Sequence, residues 1–136
     1  MKIIKISLLV IILNATSVLF LSSIVHACQD ESRFMQVTAT AYTSSVRETD
    51  STPTITAWGN KLKPGMRVLA VSRDLLDMGL TLGTLVSVEG FEEDFIVLDK
   101  MNKRWKKKID IYMGNDRHAA LQWGKRQVNI CWKYQS

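Results

Sequence analysis

From residue 36 onward, short runs of β-branched and apolar residues are broken every few positions by glycine, proline, asparagine or aspartate. Gln36 to Tyr42 alternates β-branched and small side chains, which predicts a strand. Residues 43–54 are rich in Ser and Thr with acids and a proline, which predicts a loop. A short extended piece is expected from Ile55 to Trp58, then a turn at Lys63-Pro64-Gly65. The runs from Val68 to Val71, Leu85 to Glu89, Asp94 to Leu98, Ile109 to Tyr112 and Gln127 to Trp132 predict further strands. Arg73 to Met78 reads as one helical turn ended by Gly79. Asp116 to Trp123 reads as a proper short α-helix, with Asp116 as its cap and Gly124 as its stop. Six or seven short strands with closely spaced turns predict a mainly β domain, a small barrel or a sandwich. Neither an internal repeat nor a second domain is visible.

The first 27 residues follow a different pattern. Lys2 and Lys5 precede an apolar stretch from Ile6 to Val25, which closes on Val25-His26-Ala27. A basic start, an apolar middle and small residues before the exit form the grammar of a secretory signal peptide. The expectation is therefore a leader over residues 1–27 and an exported domain over residues 28–136. An uncleaved anchor is the alternative, because the apolar stretch approaches the length of a bilayer span. The expected location is the periplasm or cell envelope.

Composition sharpens this only in part. Without Lys2 and Lys5 the chain holds 16 basic residues against 13 acidic ones, a mild positive balance that suits an anionic partner. Cys28 and Cys131 stand near opposite ends of the mature chain, and in an oxidising compartment a pair of this kind is expected to form a disulfide. The competing reading makes Val25-His26-Ala27-Cys28 a degenerate lipoprotein box with Cys28 acylated. Membrane attachment as an outer-membrane lipoprotein is expected only in that case.

Absences limit the chemistry. His26 leaves with the leader, so His118 is the single mature histidine. No Cys/His zinc site and no nucleophile triad is readily built from it, no cofactor is expected, and no phosphate-binding glycine loop occurs. Carboxylates must then handle any proton transfer. Asp99 ends the apolar run Phe95-Ile96-Val97-Leu98, and Asp110 sits between Ile109 and Ile111, on the face opposite to both. In a partly apolar groove such a pair would carry unequal proton affinities, as a general acid needs. The bland reading is a solvent-facing Asp110 balanced by Lys106 to Lys108, with Asp99 capping a turn. The run Lys103-Arg104-Trp105-Lys106-Lys107-Lys108 is more naturally a solvated loop that meets anionic wall polymer or membrane than a nucleic-acid site, and no nucleic-acid partner is expected. Trp58, Trp105, Trp123 and Trp132 are candidates for a sugar-stacking surface or for the core.

The order of these segments resembles the 3D domain family, named for three aspartates. Val37-Thr-Ala-Thr-Ala-Tyr-Thr43 is similar to its opening strand. Leu69-Ala-Val71 with Leu82-Gly-Thr84 and Val86-Ser-Val88 is similar to its second segment. Val97-Leu-Asp99 followed by Lys108-Ile-Asp-Ile-Tyr112 is similar to the segment carrying two of its aspartates, and Ala119 to Val128 to its closing segment. The resemblance implies a six-stranded double-psi β-barrel, related to membrane-bound lytic transglycosylase A and rare lipoprotein A. It also implies action on peptidoglycan glycan strands, by an enzyme that cleaves the glycosidic bond and leaves an anhydro sugar. Asp110 would be the catalytic acid and base, Asp99 its supporting aspartate, and Thr40, Tyr42 and Lys100 substrate-binding groups. A monomer is expected. The chain departs from the family at Ser72, where the first aspartate belongs, and at Lys100-Met101-Asn102, where glycines belong. Those departures favour the alternative, a non-catalytic cell-wall-binding or envelope-interaction module on the same barrel.

Overall fold

The computed structural model describes residues 32–44 and 54–133. The expected leader, Cys28, and residues 45–53 of the expected loop lie outside the described residues. Eight elements follow one another: β1 (Ser32–Tyr42), β2 (Val68–Val71), α1 (Arg73–Leu76), β3 (Leu85–Val88), β4 (Phe95–Lys100), β5 (Lys108–Tyr112), α2 (Arg117–Trp123) and β6 (Arg126–Lys133). The strands close into a barrel in the order β1-β5-β2-β4-β3-β6. The mainly β expectation holds, with six strands. Two helices occur among the described residues where one short helix was expected, because the turn at Arg73 forms a separate element.

The pairing explains how a chain without sequence repeats closes on itself. β1 runs parallel to β5 and β2 parallel to β4, while the remaining neighbours are antiparallel. Moving every strand three places along the chain maps β1–β5 onto β4–β2 and β1–β6 onto β4–β3. The same move maps β2–β5 and β3–β6 onto themselves, and each half carries a helix between its second and third strands. Two interlocked β-β-α-β halves of this kind make a double-psi barrel.

Alternation fills it. On β5, Ile109 and Ile111 are fully buried inside while Lys108 and Asp110 on the other face are half-buried. Val37, Ala39, Leu69, Val71, Val97 and Ile130 join them in one core. All four residues of β2 are buried, and on its outer face Val68 is covered. The cover comes from the segment at 54–66: Leu62 and Met66 pack with Val68, Tyr112, Tyr42, Ile96 and Leu98 in a second apolar cluster. Leu62 N–H donates to Thr54 O at 2.7 Å and Ile55 bridges Lys61, which curls the segment into a cap; the expected extended piece is reduced to that one bridge. Gly114 allows the cap its close approach, since a Cβ there would lie 3.2 Å from Pro64 Cα.

α2 ends as its sequence predicts. Asp116 accepts a hydrogen bond from Ala119 N–H at 2.9 Å, and Gly124 closes the helix at φ 64°.

Candidate functional site

The outer face of the barrel carries the polar residues singled out by sequence. β1 and β5 pair Thr40 with Asp110, β5 and β2 pair Asp110 with Ala70, and β2 and β4 pair Ala70 with Asp99. Thr40, Asp110, Ala70 and Asp99 therefore form one row across four adjacent strands. Two strand spacings of about 4.8 Å separate the Cα atoms of the two aspartates, about 10 Å in all. Ala70, buried between them, leaves no side chain that would fill the gap.

Asp99 reaches this row through an irregularity. Phe95 and Val97 point into the core, so strict alternation would send residue 99 inward as well. The β2–β4 register slips between Leu69 and Ala70, leaving Leu98 as an extra residue. This bulge turns Asp99 to the outer face, a use of bulges common beside functional sites. There its Oδ1 accepts from the backbone N–H of Ala57 at 2.7 Å and of Lys100 at 2.9 Å. Two donors on one oxygen fix the carboxylate and tie the cap segment to the barrel. Asp110 is half-buried, and its Oδ1 accepts from Thr40 Oγ1 at 2.8 Å.

One row along, Tyr42 and Tyr112 pair with ring centroids 5.3 Å apart. Tyr112 Oη shares a hydrogen bond with Ser44 Oγ. Tyr42 Oη is buried and has no hydrogen-bond partner among the described residues. Burial above all, then the negative charges of Asp99, Asp110 and Tyr112, push this hydroxyl up from its ordinary range. The hydroxyl lies close enough to both aspartates to sense their charge.

The next row on the other side pairs Thr38 with Lys108, beside Ser72. Lys108 Nζ lies 3.8 Å from the ring centroid of Trp105, and Lys100 Nζ lies 5.3 Å from that of Trp58. Trp58 stands beside Asp99 through its neighbour Ala57. Trp132 is buried, and Trp123 packs against Phe91 and the core. Trp58 is half-buried against the same core as Trp123, so of the four tryptophans only Trp105 is exposed.

Ser72 is fully buried, and its hydroxyl accepts from Lys108 N–H at 3.0 Å instead of capping its own helix. Asp74 Oδ2 accepts from Lys107 N–H at 2.9 Å. These two residues, where the family's first aspartate was sought, brace the start of β5.

The structure thus brings Thr40, Tyr42, Asp99, Lys100 and Asp110 together. Cys131 is buried on β6 and no described cysteine is free, while Cys28 lies outside the described residues. Tyr112 was overlooked as a site residue. Its signal was alternation, since it lies two residues beyond Asp110 on the same face.

No family model matches the chain, and no curated protein matches it. Among solved structures it is similar to an apo expansin from Clavibacter michiganensis, with a TM-score of 0.50 and 16% identity over 76% of this chain and 52% of the expansin. A point mutant of the Clavibacter michiganensis expansin in complex with cellohexaose aligns with a TM-score of 0.45 at 16% identity, over 76% of this chain and 51% of that one. The chain spans about half the length of these expansins. At this identity the likeness is one of fold. The class that fold and site define is a six-stranded double-psi β-barrel with a row bearing two aspartates on its outer face.

Proposed function

We propose that the domain is a carbohydrate-binding module that takes a cell-wall glycan strand along the row Thr40–Asp110–Ala70–Asp99. That row is the observation that carries the reading. Fixed carboxylate acceptors match sugar hydroxyls, which are donors in all directions, and Ala70 leaves the floor flat between them. Trp58 and Trp105 stand at the margins, where an indole face suits the CH side of a pyranose ring. Wall glycan, and peptidoglycan in particular, is the partner that the expected export and the sequence resemblance imply. The row crosses three strand spacings, about 14 Å in all, and so accommodates about three sugar rings, and binding should be weak per site and specific in register.

Calorimetric titration with chitohexaose and with soluble peptidoglycan strands tests this. Binding that Thr40→Val and Asp110→Asn each weaken by about fivefold to fiftyfold, the worth of one or two charge-assisted hydrogen bonds, is expected. No binding of either ligand, or variants that bind as the wild type does, would overturn it.

A second reading rests on the half-buried Asp110 with its Thr40 hydrogen bond. In it, Asp110 protonates the glycosidic oxygen as the C1–O bond breaks, and its carboxylate then removes the proton of the C6 hydroxyl as that oxygen bonds to C1. No water is consumed, and a single acid suffices. Anhydro-muropeptides released from sacculi by the wild type and not by Asp110→Asn would establish this activity. Their absence from a prolonged digest rules it out and leaves binding alone.

A further inference from the structure

The segment between the two site aspartates is the most strongly charged in the molecule. Lys103, Arg104, Lys106, Lys107 and Lys108 place five cations in six residues, with Trp105 among them. Residues 103–107 are all exposed, and Trp105 keeps 37% of its surface open. A solvated run of this kind would ordinarily spread to relieve repulsion. Here it is held in one shape. Trp105 N–H donates to Asn102 O and Arg104 N–H to Asn102 Oδ1, each at 3.1 Å. Lys107 N–H donates to Asp74 Oδ2 at 2.9 Å, and Lys107 O accepts from Thr38 N–H at 2.9 Å. Lys107 also adopts φ 45°, a left-handed conformation that a lysine holds only when its surroundings impose it. Arg104 and Lys108 both lie over the Trp105 ring, at 4.9 and 3.8 Å from its centroid. Asp74 engages the connector through the Lys107 N–H, and its charge also acts on Lys106, so the ammonium groups at 103 and 107 are not drawn in by that contact.

The geometry points to a second subsite: the connector binds acidic groups carried by the same glycan strand that lies in the groove. This deepens the proposed function and rests on it. The two surfaces are contiguous, because Lys108 lies two residues along β5 from Asp110, about 7 Å on the same face. Their charges divide the work. The aspartate floor repels acids and accepts sugar hydroxyls, and the cationic rim next to it collects carboxylate or phosphodiester groups. A neutral strand would fill only the first. The ligand is thus an acid-bearing polysaccharide, the shared chemistry of peptide-substituted glycan and of phosphodiester-linked wall polymer.

Titrations of the full chain with chitohexaose, with soluble peptide-bearing glycan strands and with a soluble phosphodiester wall polymer separate the alternatives. The wild type should bind at least one acidic ligand about tenfold more tightly than chitohexaose, with the advantage fading between about 0.05 and 0.5 M salt. The arm that shows it identifies the acid. The combined variant Lys103→Gln, Arg104→Gln, Lys106→Gln and Lys107→Gln should keep chitohexaose affinity, which also certifies its fold, and lose the advantage. The Lys→Arg counterpart at 103, 106 and 107 should retain it. Unchanged chitohexaose binding with no gain from acidic groups, or a gain that the glutamine variant keeps, would overturn the second subsite alone. Tighter binding to vesicles containing phosphatidylglycerol than to either acidic polymer would make a membrane the partner and overturn it too. A wild type that ignores chitohexaose sinks the groove reading, and this inference with it.

Discussion

Asp99 and Tyr42 sit on the same outer face of the barrel under opposite physical constraints. Asp99 is satisfied twice over by Ala57 and Lys100 N–H groups, so Asp99→Ala should lower stability by about 1–2 kcal/mol, and Asp99→Asn, which keeps an acceptor oxygen, by less. Urea unfolding measures both. Tyr42 instead buries a hydroxyl with no protein partner. Tyr42→Phe should leave stability unchanged or raise it by up to about 1 kcal/mol, because an unsatisfied polar atom is removed. A variant that loses stability would show that the hydroxyl is bonded in the free protein. Asp74 adds a pH test. Burial works to raise its pKa, but the Lys107 N–H, the Ser72 hydroxyl and the Lys106 charge outweigh it and hold the carboxyl below its usual value of 3.8. A depressed folded-state pKa contributes stability above the ordinary value and loses it as pH falls through the lower one. Wild type should therefore exceed Asp74→Asn in stability at pH 7, and the difference should shrink as the pH falls below 3.8.

At the level of elements, the strands were legible because alternation and turn residues agree almost everywhere. β2 was read to the residue, and the ends of the other strands to within a few positions. The bulge in β4 was not legible. Nothing in Phe95-Ile-Val-Leu-Asp-Lys100 marks Leu98 as the extra residue, since a slip of register is a property of two strands and not of one. Asp99 was therefore singled out because it ended an apolar run, although unbroken alternation would have buried it. The same holds for the connector, where a basic run announces charge but not shape. Its shape depends on Asp74, Thr38 and the left-handed Lys107. Replacing Lys107 by glycine removes the side chain that opposes φ 45°, so Lys107→Gly should stabilise the domain by up to about 1 kcal/mol, whereas Lys107→Val should destabilise it by at least as much. Chemical denaturation of the two variants gives the sign directly, and equal effects would mean that the connector relaxes to another conformation.

For the whole molecule, the twofold relation between the halves exists in the pairing and not in the residues. It superposes Thr40 on Asp99 and Asp110 on Ala70, so one half supplies Thr40 at the position where the other supplies a carboxylate, and the groove is chemically asymmetric on a symmetric frame. That is why no repeat was visible along the chain: symmetry constrains strand order and core volume, which many sequences satisfy, while the site needs different side chains at equivalent places. Closure of the frame depends on β6, which joins β1 and β3 and carries the buried Cys131. We propose that Cys131 pairs with Cys28. The bond would close a loop of about 100 residues, and on the chain-entropy account it would contribute about 4–5 kcal/mol by restricting the unfolded ensemble. Oxidised protein should then be lighter by the pair of thiol hydrogens, resist alkylation until reduced, and unfold at lower urea after reduction, as should Cys131→Ser. A mass increased by a lipid at residue 28 would exclude the pair. In that event the barrel's hydrogen-bonded closure must hold β6 without a covalent tie, and a reductant would leave the unfolding midpoint where it was.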